Sequence, residues 1–402
     1  MLYRRFGRTE LSMPVFSCGG MRYQQAWQDL SPTQIDAAGQ ANLAATIERA
    51  LALGINHIET ARGYGSSEMQ LGWVLPQYPR QDLIVQTKVG PAAQVADFER
   101  DFEQSMGYLK LDYVDLLGIH GINTREHLDW TLRPGGCLDR ARRWQAEGRV
   151  RFIGFSTHGP LDVIMETIQS NQFDYVNLHW YYINQTNWRA IEAATQLDMG
   201  VFIISPANKG GLLYEPSPKL VELCKPLSPM VFNNLFCLSH PQVHTLSLGA
   251  ARPSDFDEHL KTLSFLDQPG QLLPMITRRL EQAAIEAFDR EFGPGEGKAW
   301  LRTWEQGLPK PEEVPGEISV RTIVWLWNLV KAFDMVAYGK MRYNLLGNGG
   351  HWFPGQRGDR LSELDLRPCL ARSPYPDRVL NILTEAHQLL AGGAVKRLSQ
   401  SS

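Results

Sequence analysis

At 402 residues, with 43% hydrophobic and 21% charged side chains, the chain has room for one large domain or two and an ordinary globular composition. A formal net charge of −3 and a pI near 6.4 offer no basic surplus for nucleic acid or an anionic membrane surface, so neither is expected as a partner. The N-terminal stretch MLYRRFGRTELSMPVF lacks an apolar signal core. The most apolar run, TIVWLWNLV at 322–330, falls far short of the ~20 residues that span a bilayer, so a cytoplasmic protein is expected. Cys18, Cys137, Cys224, Cys237 and Cys369 are scattered without a close pair, the pattern of reduced thiols.

In chain order, PVFSC opens a series of eight short apolar runs rich in branched residues. INHIE, LIVQTK, YVDLLGIH, VRFIGFS, YVNLHW, VFIIS and HTLSLG follow, the last ending near residue 250. Between them lie segments of helical period: NLAATIERALAL, DFERDFEQSMGYL, CLDRARRWQAEG, LDVIMETIQS, WRAIEAATQL and FDEHLKTL. Continuous apolar strands alternating with helices imply parallel pairing. Eight such units predict a closed (βα)8 TIM barrel over residues 1–264. No G-x-G-x-x-G follows the first run, which argues against an open dinucleotide-binding sheet.

Past 265 the alternation stops. LEQAAIEAFDREF, a single aromatic helix VRTIVWLWNLVKAFDMVAYGKMRY and an amphipathic helix from Asp377 to Leu390 predict a mostly helical C-terminal domain over 265–402. GPGEGKA at 293–299 reads as a loop, because its glycine spacing and its alanine do not suit a phosphate loop. Trp325, Trp327 and Trp352 read as tail core and His351 as a packing or surface residue, not a ligand.

In such a barrel the reactive side chains come from the C-terminal ends of different strands. Glu59 and Tyr64 follow the second run, Lys88 ends the third and His120 ends the fourth, each about one βα unit from the next. A tyrosine with an unperturbed pKa of about 10 is a poor acid, and a neighbouring ammonium lowers that value. A carboxylate holds the lysine charged, and a histidine orients a carbonyl oxygen by donating a hydrogen bond. Together the four form the set needed to polarise and protonate a C=O.

The pattern IETARGYGSSEMQLG, then TKVG, then DLLGIHG resembles the aldo-keto reductase family over roughly residues 3–262. The resemblance implies a (βα)8 barrel that binds NADPH, with NADH also accommodated, and reduces an aldehyde or ketone substrate. By that likeness Tyr64 is the proton donor, Lys88 modulates its pKa, His120 orients the carbonyl, and Glu59 takes the place usually held by aspartate. In GFSTHG, Ser156 matches a Ser-Asn pair and Thr157 departs from it, while Asn177 stands where a glutamine commonly grips the nicotinamide amide. Ser205, Gly210 and Gly211 match the seventh-strand loop, which the likeness makes a pyrophosphate site, with Lys209 adding a charge; Ile204 replaces an aromatic. After the eighth strand, Gly249 and Ala250 match the adenosine-phosphate loop. The same likeness implies Arg252 as the partner for a ribose 2′-phosphate and places Glu258 and His259 where a Glu-Asn pair touches adenine, while Asp255 replaces a further arginine.

The whole chain is similar to the subgroup that carries a C-terminal ferredoxin-like iron-sulfur domain, whose clusters need C-x2-C-x2-C-x3-C-P runs. That spacing set back from Pro374 falls on Glu363, Leu366, Cys369 and Ser373, and from Pro311 on Trp300, Thr303, Gln306 and Lys310. No iron-sulfur cluster or other metal is therefore expected. The reading is an NADPH-dependent carbonyl reductase; the alternative, motivated by the departures at Glu59, Thr157, Asn177 and Ile204, is an NADPH-binding scaffold or regulator. No protein partner is indicated.

Overall fold

The computed structural model describes residues 1–23 and 26–393. A short antiparallel hairpin, β1 (Tyr3–Arg5) with β2 (Ser12–Pro14), precedes the barrel. Its apolar residues Phe6, Leu11 and Met13 cluster with Ile84, Leu116, Tyr175 and Phe202, so the hairpin closes the N-terminal end of the barrel and buries it. Arg4 and Arg5 break the alternation of β1, which is why the hairpin is not visible as apolar runs.

The eight apolar runs form the barrel strands β3 (Phe16–Gly19), β4 (His57–Glu59), β5 (Ile84–Val89), β6 (Val114–His120), β7 (Val150–Ser156), β8 (Tyr175–Leu178), β9 (Gly200–Ile203) and β10 (Thr245–Leu248). Every neighbouring pair is parallel and β10 closes on β3. The helices between them are α1 (Ala37–Ala52), α2 (Ser67–Leu71), α3 (Val95–Leu109), α4 (Arg125–Leu132), α5 (Cys137–Ala146), α6 (Leu161–Gln169), α7 (Trp188–Gln196), α8 (Pro218–Cys224), α9 (Pro229–Leu238) and α10 (Asp255–Leu260). Outward residues of the strands, such as Val85, Leu117, Ile153 and Val176, pack with Phe98, Phe102, Ile164 and Ile191 of the helices in one core. The structure is thus the expected TIM barrel with added helices.

The chain divides into two compact units: Met1–Gly210 with Asn233–Asp267, and Gly211–Phe232 with 268–393. A barrel domain running unbroken over 1–264 does not describe this, because Gly211–Phe232 groups with the tail. Ser217 Oγ donates to the Phe333 carbonyl at 2.6 Å, and α8 packs on α11 (Pro269–Phe292), contacts at long sequence separation that no local pattern announces.

The second unit continues with α12 (Glu296–Thr303), α13 (Val320–Phe333), α14 (Val336–Tyr343), α15 (Arg367–Leu370) and α16 (Pro376–Leu390). The single aromatic helix expected over 320–343 is two: Asp334 adopts φ 56°, ψ 34°, a left-handed cap that ends α13. Only the start of GPGEGKA is loop, since α12 begins at Glu296 behind Gly295 at φ +87°. Trp300 and Trp327 are buried here as tail core, their indole N–H groups donating to Asn328 and Glu385. The two segments preceding Pro311 and Pro374 lie together: a Cβ at Gly307 would stand 2.1 Å from the Arg372 carbonyl, and the Thr303 and Tyr375 hydroxyls are 2.9 Å apart. Among the described residues no helix is long and apolar enough to cross a membrane, and no three His, Cys, Asp or Glu side chains are grouped to hold a metal.

Candidate active site

Lys88 and Glu59 are inward-facing residues of the adjacent strands β5 and β4, almost wholly buried, and they pair directly through Nζ and Oε1. Lys88 also donates to the Thr60 carbonyl at 2.6 Å. Burial pushes the Lys88 pKa down, and the Glu59 carboxylate beside it opposes that shift. The other carboxylate oxygen, Oε2, accepts from Ser247 Oγ of β10 at 3.3 Å.

Two glycines make room for these long side chains. A Cβ at Gly19 would lie 3.2 Å from Glu59 Oε2 and 2.6 Å from Ser247 Oγ, and one at Gly118 would lie 2.9 Å from Lys88 Cγ. The glycines of SCGG and LLGIH are therefore part of the reason the pair fits.

Tyr64 sits on the loop after β4, its hydroxyl 3.4 Å from Glu59 Oε1 as donor. The Lys88 ammonium is 4.8 Å from the Tyr64 ring centroid, and the His120 ring meets that ring edge-on at 5.7 Å. All four sequence-selected residues thus come together at the C-terminal mouth, with Tyr64 and His120 half-buried.

Around the mouth, Ser156 ends β7 in register with His120 on one side and Asn177 on the other. Ser156 Oγ accepts from Gly121 N at 3.1 Å. Asn177 is fully buried, and among the described residues neither its Oδ1 nor its Nδ2 has a hydrogen-bond partner. A buried amide without partners costs ~1–3 kcal/mol, and a ligand offering one donor and one acceptor would remove that cost. The carboxamide of a nicotinamide has that donor set, so the residues present fit such a group. Thr157 is committed elsewhere: its hydroxyl donates to the Ile122 carbonyl at 2.8 Å and accepts from Gly159 N at 3.0 Å.

Beyond β9, Ser205 holds a left-handed φ of +55°, its carbonyl accepts from Lys209 N at 3.0 Å, and Gly210 and Gly211 complete the turn. Lys209 Nζ lies 3.2 Å from His179 Nε2 and 3.3 Å from His158 Nε2, so its side chain extends over the ends of β7 and β8. Beyond β10, Gly249 O accepts from Arg22 Nη1 at 2.6 Å and Ala250 is buried. Asp255 clasps this loop, accepting from Ala251 N at 2.8 Å and Arg252 Nε at 3.0 Å. The Arg252 side chain is otherwise 72% exposed. Glu258 is ion-paired with Lys261 at 2.6 Å. His259 is turned into the core, its Nδ1 2.9 Å from Asn234 Nδ2, and burial pushes its pKa down to about 4. It does not present its ring at the loop surface beside Arg252.

His158, His179 and Tyr181 at the mouth were not selected from the sequence, although each stands one to three residues past a strand end, where the same rule applies. Arg22, which ties the β3 end to the β10 loop, carries no sequence signal.

A closed parallel barrel whose buried ion pair, phenol, imidazole and buried amide all meet at the C-terminal mouth defines a TIM-barrel protein with its candidate site at that end. Residues 16–215 match the model of the Aldo/keto reductase family, and curated proteins are similar to part of the chain. It is 32% identical over 194 residues to L-galactose dehydrogenase of Arabidopsis thaliana, covering 43% of this chain and 57% of that protein. It is 30% identical over 180 residues to an aldo-keto reductase of Mycobacterium sp. (strain JLS), covering 42% and 61%. The chain thus spans less than two thirds of the length of these curated relatives. In fold it is similar to the holo form of an aldo-keto reductase from Bacillus halodurans, with TM-score 0.58 and 19% identity over 69% of this chain and 96% of that one. A thermostable aldo-keto reductase in complex with the inhibitor epalrestat gives TM-score 0.57 and 21% identity over 68% and 100%.

Proposed function

We propose that the protein is an NADPH-dependent oxidoreductase that reduces aldehyde or ketone carbonyls, and that the observation carrying this is the meeting of Tyr64, Lys88, Glu59 and His120 at one barrel mouth. A nicotinamide bound at the mouth would supply the two reducing electrons. Asn177 and Ser156 would hold its carboxamide, the Ser205 turn with Gly210 and Gly211 would take the pyrophosphate, and Gly249, Ala250 and exposed Arg252 would receive the adenosine 2′-phosphate. NADH would lack the group that Arg252 binds.

Tyr64 gives its hydroxyl proton to the carbonyl oxygen. The Lys88 ammonium stabilises the phenolate left behind, and Glu59 keeps that ammonium charged in spite of its burial. His120, edge-on to the phenol, fixes the carbonyl between the two rings. Glu59 touches both partners: its Oε1 accepts from Lys88 and from the Tyr64 hydroxyl.

The scaffold reading draws on one observation, the commitment of Thr157 to the Ile122 carbonyl, which removes a side chain from the amide-binding set. The second unit, with the segments before Pro311 and Pro374 side by side, is consistent with a ferredoxin-like domain that has lost its cluster ligands and keeps only its shape. Fluorescence titration with NADPH and NADH, followed by NADPH oxidation with aldehydes and ketones, tests the reading. Tight binding with no turnover on any substrate would favour the scaffold.

A further inference from the structure

Lys209, which the family likeness gives to the pyrophosphate loop, belongs in the structure to a group built from three successive strand ends. His158 follows β7, His179 follows β8 and Lys209 follows β9. The two imidazoles meet edge-to-face at 4.3 Å between centroids, and the lysine ammonium stands 3.2 Å from His179 Nε2 and 3.3 Å from His158 Nε2.

The protonation pattern of His179 follows from its neighbours. The Tyr181 hydroxyl donates to the Ile204 carbonyl, so the phenol oxygen 2.5 Å from His179 Nδ1 acts as acceptor and Nδ1 carries the proton. Nε2 is then a lone pair, and it receives a hydrogen from Lys209. The ammonium is therefore aimed by a fixed chain running from Ile204 through Tyr181 and His179, with His158 as a second wall.

Its position matters as much as its charge. His158 and His179 lie two residues beyond Ser156 and Asn177, which are paired in register, so the ammonium stands one layer outward from the orphaned amide. It leans over β7 and β8 and not toward the loop that carries Arg252. A fixed cation at that depth, half-buried, suits an oxygen anion attached to whatever occupies the centre of the mouth.

We propose that Lys209, positioned by His158 and His179, binds the carboxylate of an acidic carbonyl substrate. The assignment of that carboxylate to a substrate rests on the reductase reading, but binding of the acid itself does not require turnover. The probes are benzoate and its neutral isostere benzamide, titrated calorimetrically into the NADP⁺-saturated protein, with NADPH affinity measured alongside. Wild type is expected to bind benzoate at least ~10-fold more tightly than benzamide, the scale of one charge-assisted hydrogen bond. Lys209→Met should abolish that preference and Lys209→Arg should keep part of it. His179→Phe, which leaves the ammonium and removes the acceptor that aims it, should lower the ratio in the same direction and guards against a Lys209 variant that fails to fold. Absence of a benzoate preference in the wild type, or its survival in Lys209→Met, would overturn the proposal. A loss in Lys209→Met that falls on NADPH instead of benzoate would also overturn it and assign the ammonium to a cofactor phosphate. Failure of the reductase reading would appear differently, as benzoate selectivity without NADPH oxidation on any aldehyde.

Discussion

Lys88 and Glu59, 29 residues apart in sequence, pair inside the barrel, and the oxygen that receives the ammonium also receives the Tyr64 hydroxyl at 3.4 Å. One buried carboxylate oxygen therefore serves a base-stabilised cation and a proton donor at once. Removing only the lysine leaves the buried Glu59 without its cation. Lys88→Met is expected to cost ~3–5 kcal/mol in chemical denaturation, and the double variant with Glu59→Gln should recover part of it. Equal stability of the single variant and wild type would remove the ion pair from the account.

Asn177 makes an opposite prediction. Because its amide is buried without partners, Asn177→Leu should stabilise the ligand-free protein by about 1 kcal/mol while weakening NADPH binding. Thermal melting with and without NADPH reads both effects. Destabilisation of the ligand-free protein together with unchanged NADPH affinity would mean that the amide is structural.

His57, His244 and His259 are buried, and burial pushes their pKa values down to about 3, 4 and 4. The unfolded chain takes up these protons near pH 6.5, whereas the folded chain does not until its lower values are reached. The stabilisation is therefore complete above about pH 6.5 and declines as the pH falls toward about 4, by up to roughly 1.4 kcal/mol per unit for each histidine. Urea unfolding at pH 7.5 and pH 5 should show a smaller loss in His57→Asn than in wild type. An identical loss would exclude His57, which lies between Ser17 and Gln86, as a source of acid sensitivity.

Of the four positions set back from Pro374, only Cys369 carries a thiolate ligand, so purified protein should contain neither stoichiometric iron nor acid-labile sulfide. Both are measured colorimetrically after anaerobic purification. One or more cluster equivalents would show that ligands come from outside the spacing.

The barrel was legible because parallel strands buried on both faces read as unbroken apolar runs, and LIVQTK or YVDLLGIH has no other comfortable place. The convergence of Glu59, Tyr64, Lys88 and His120 was legible for a related reason: strand ends converge, so position along the chain gives position at the mouth. What escaped depends on contacts distant in sequence. The break at Asp334 sits within a continuous helical pattern, and the return of Gly211–Phe232 to the tail rests on contacts such as Ser217 to Phe333. His259 fell beside adenine by the family likeness, yet its ring packs against Phe16 and Asn234 because α10 turns that face inward.

The central claim is that Tyr64 is the acid of a carbonyl reductase, and NADPH oxidation by wild type and Tyr64→Phe across a panel of aldehydes and ketones tests it most directly. The expected result is turnover in the wild type and a loss of at least ~100-fold in kcat in the variant, with NADPH binding retained. Turnover that survives Tyr64→Phe unchanged would contradict the account.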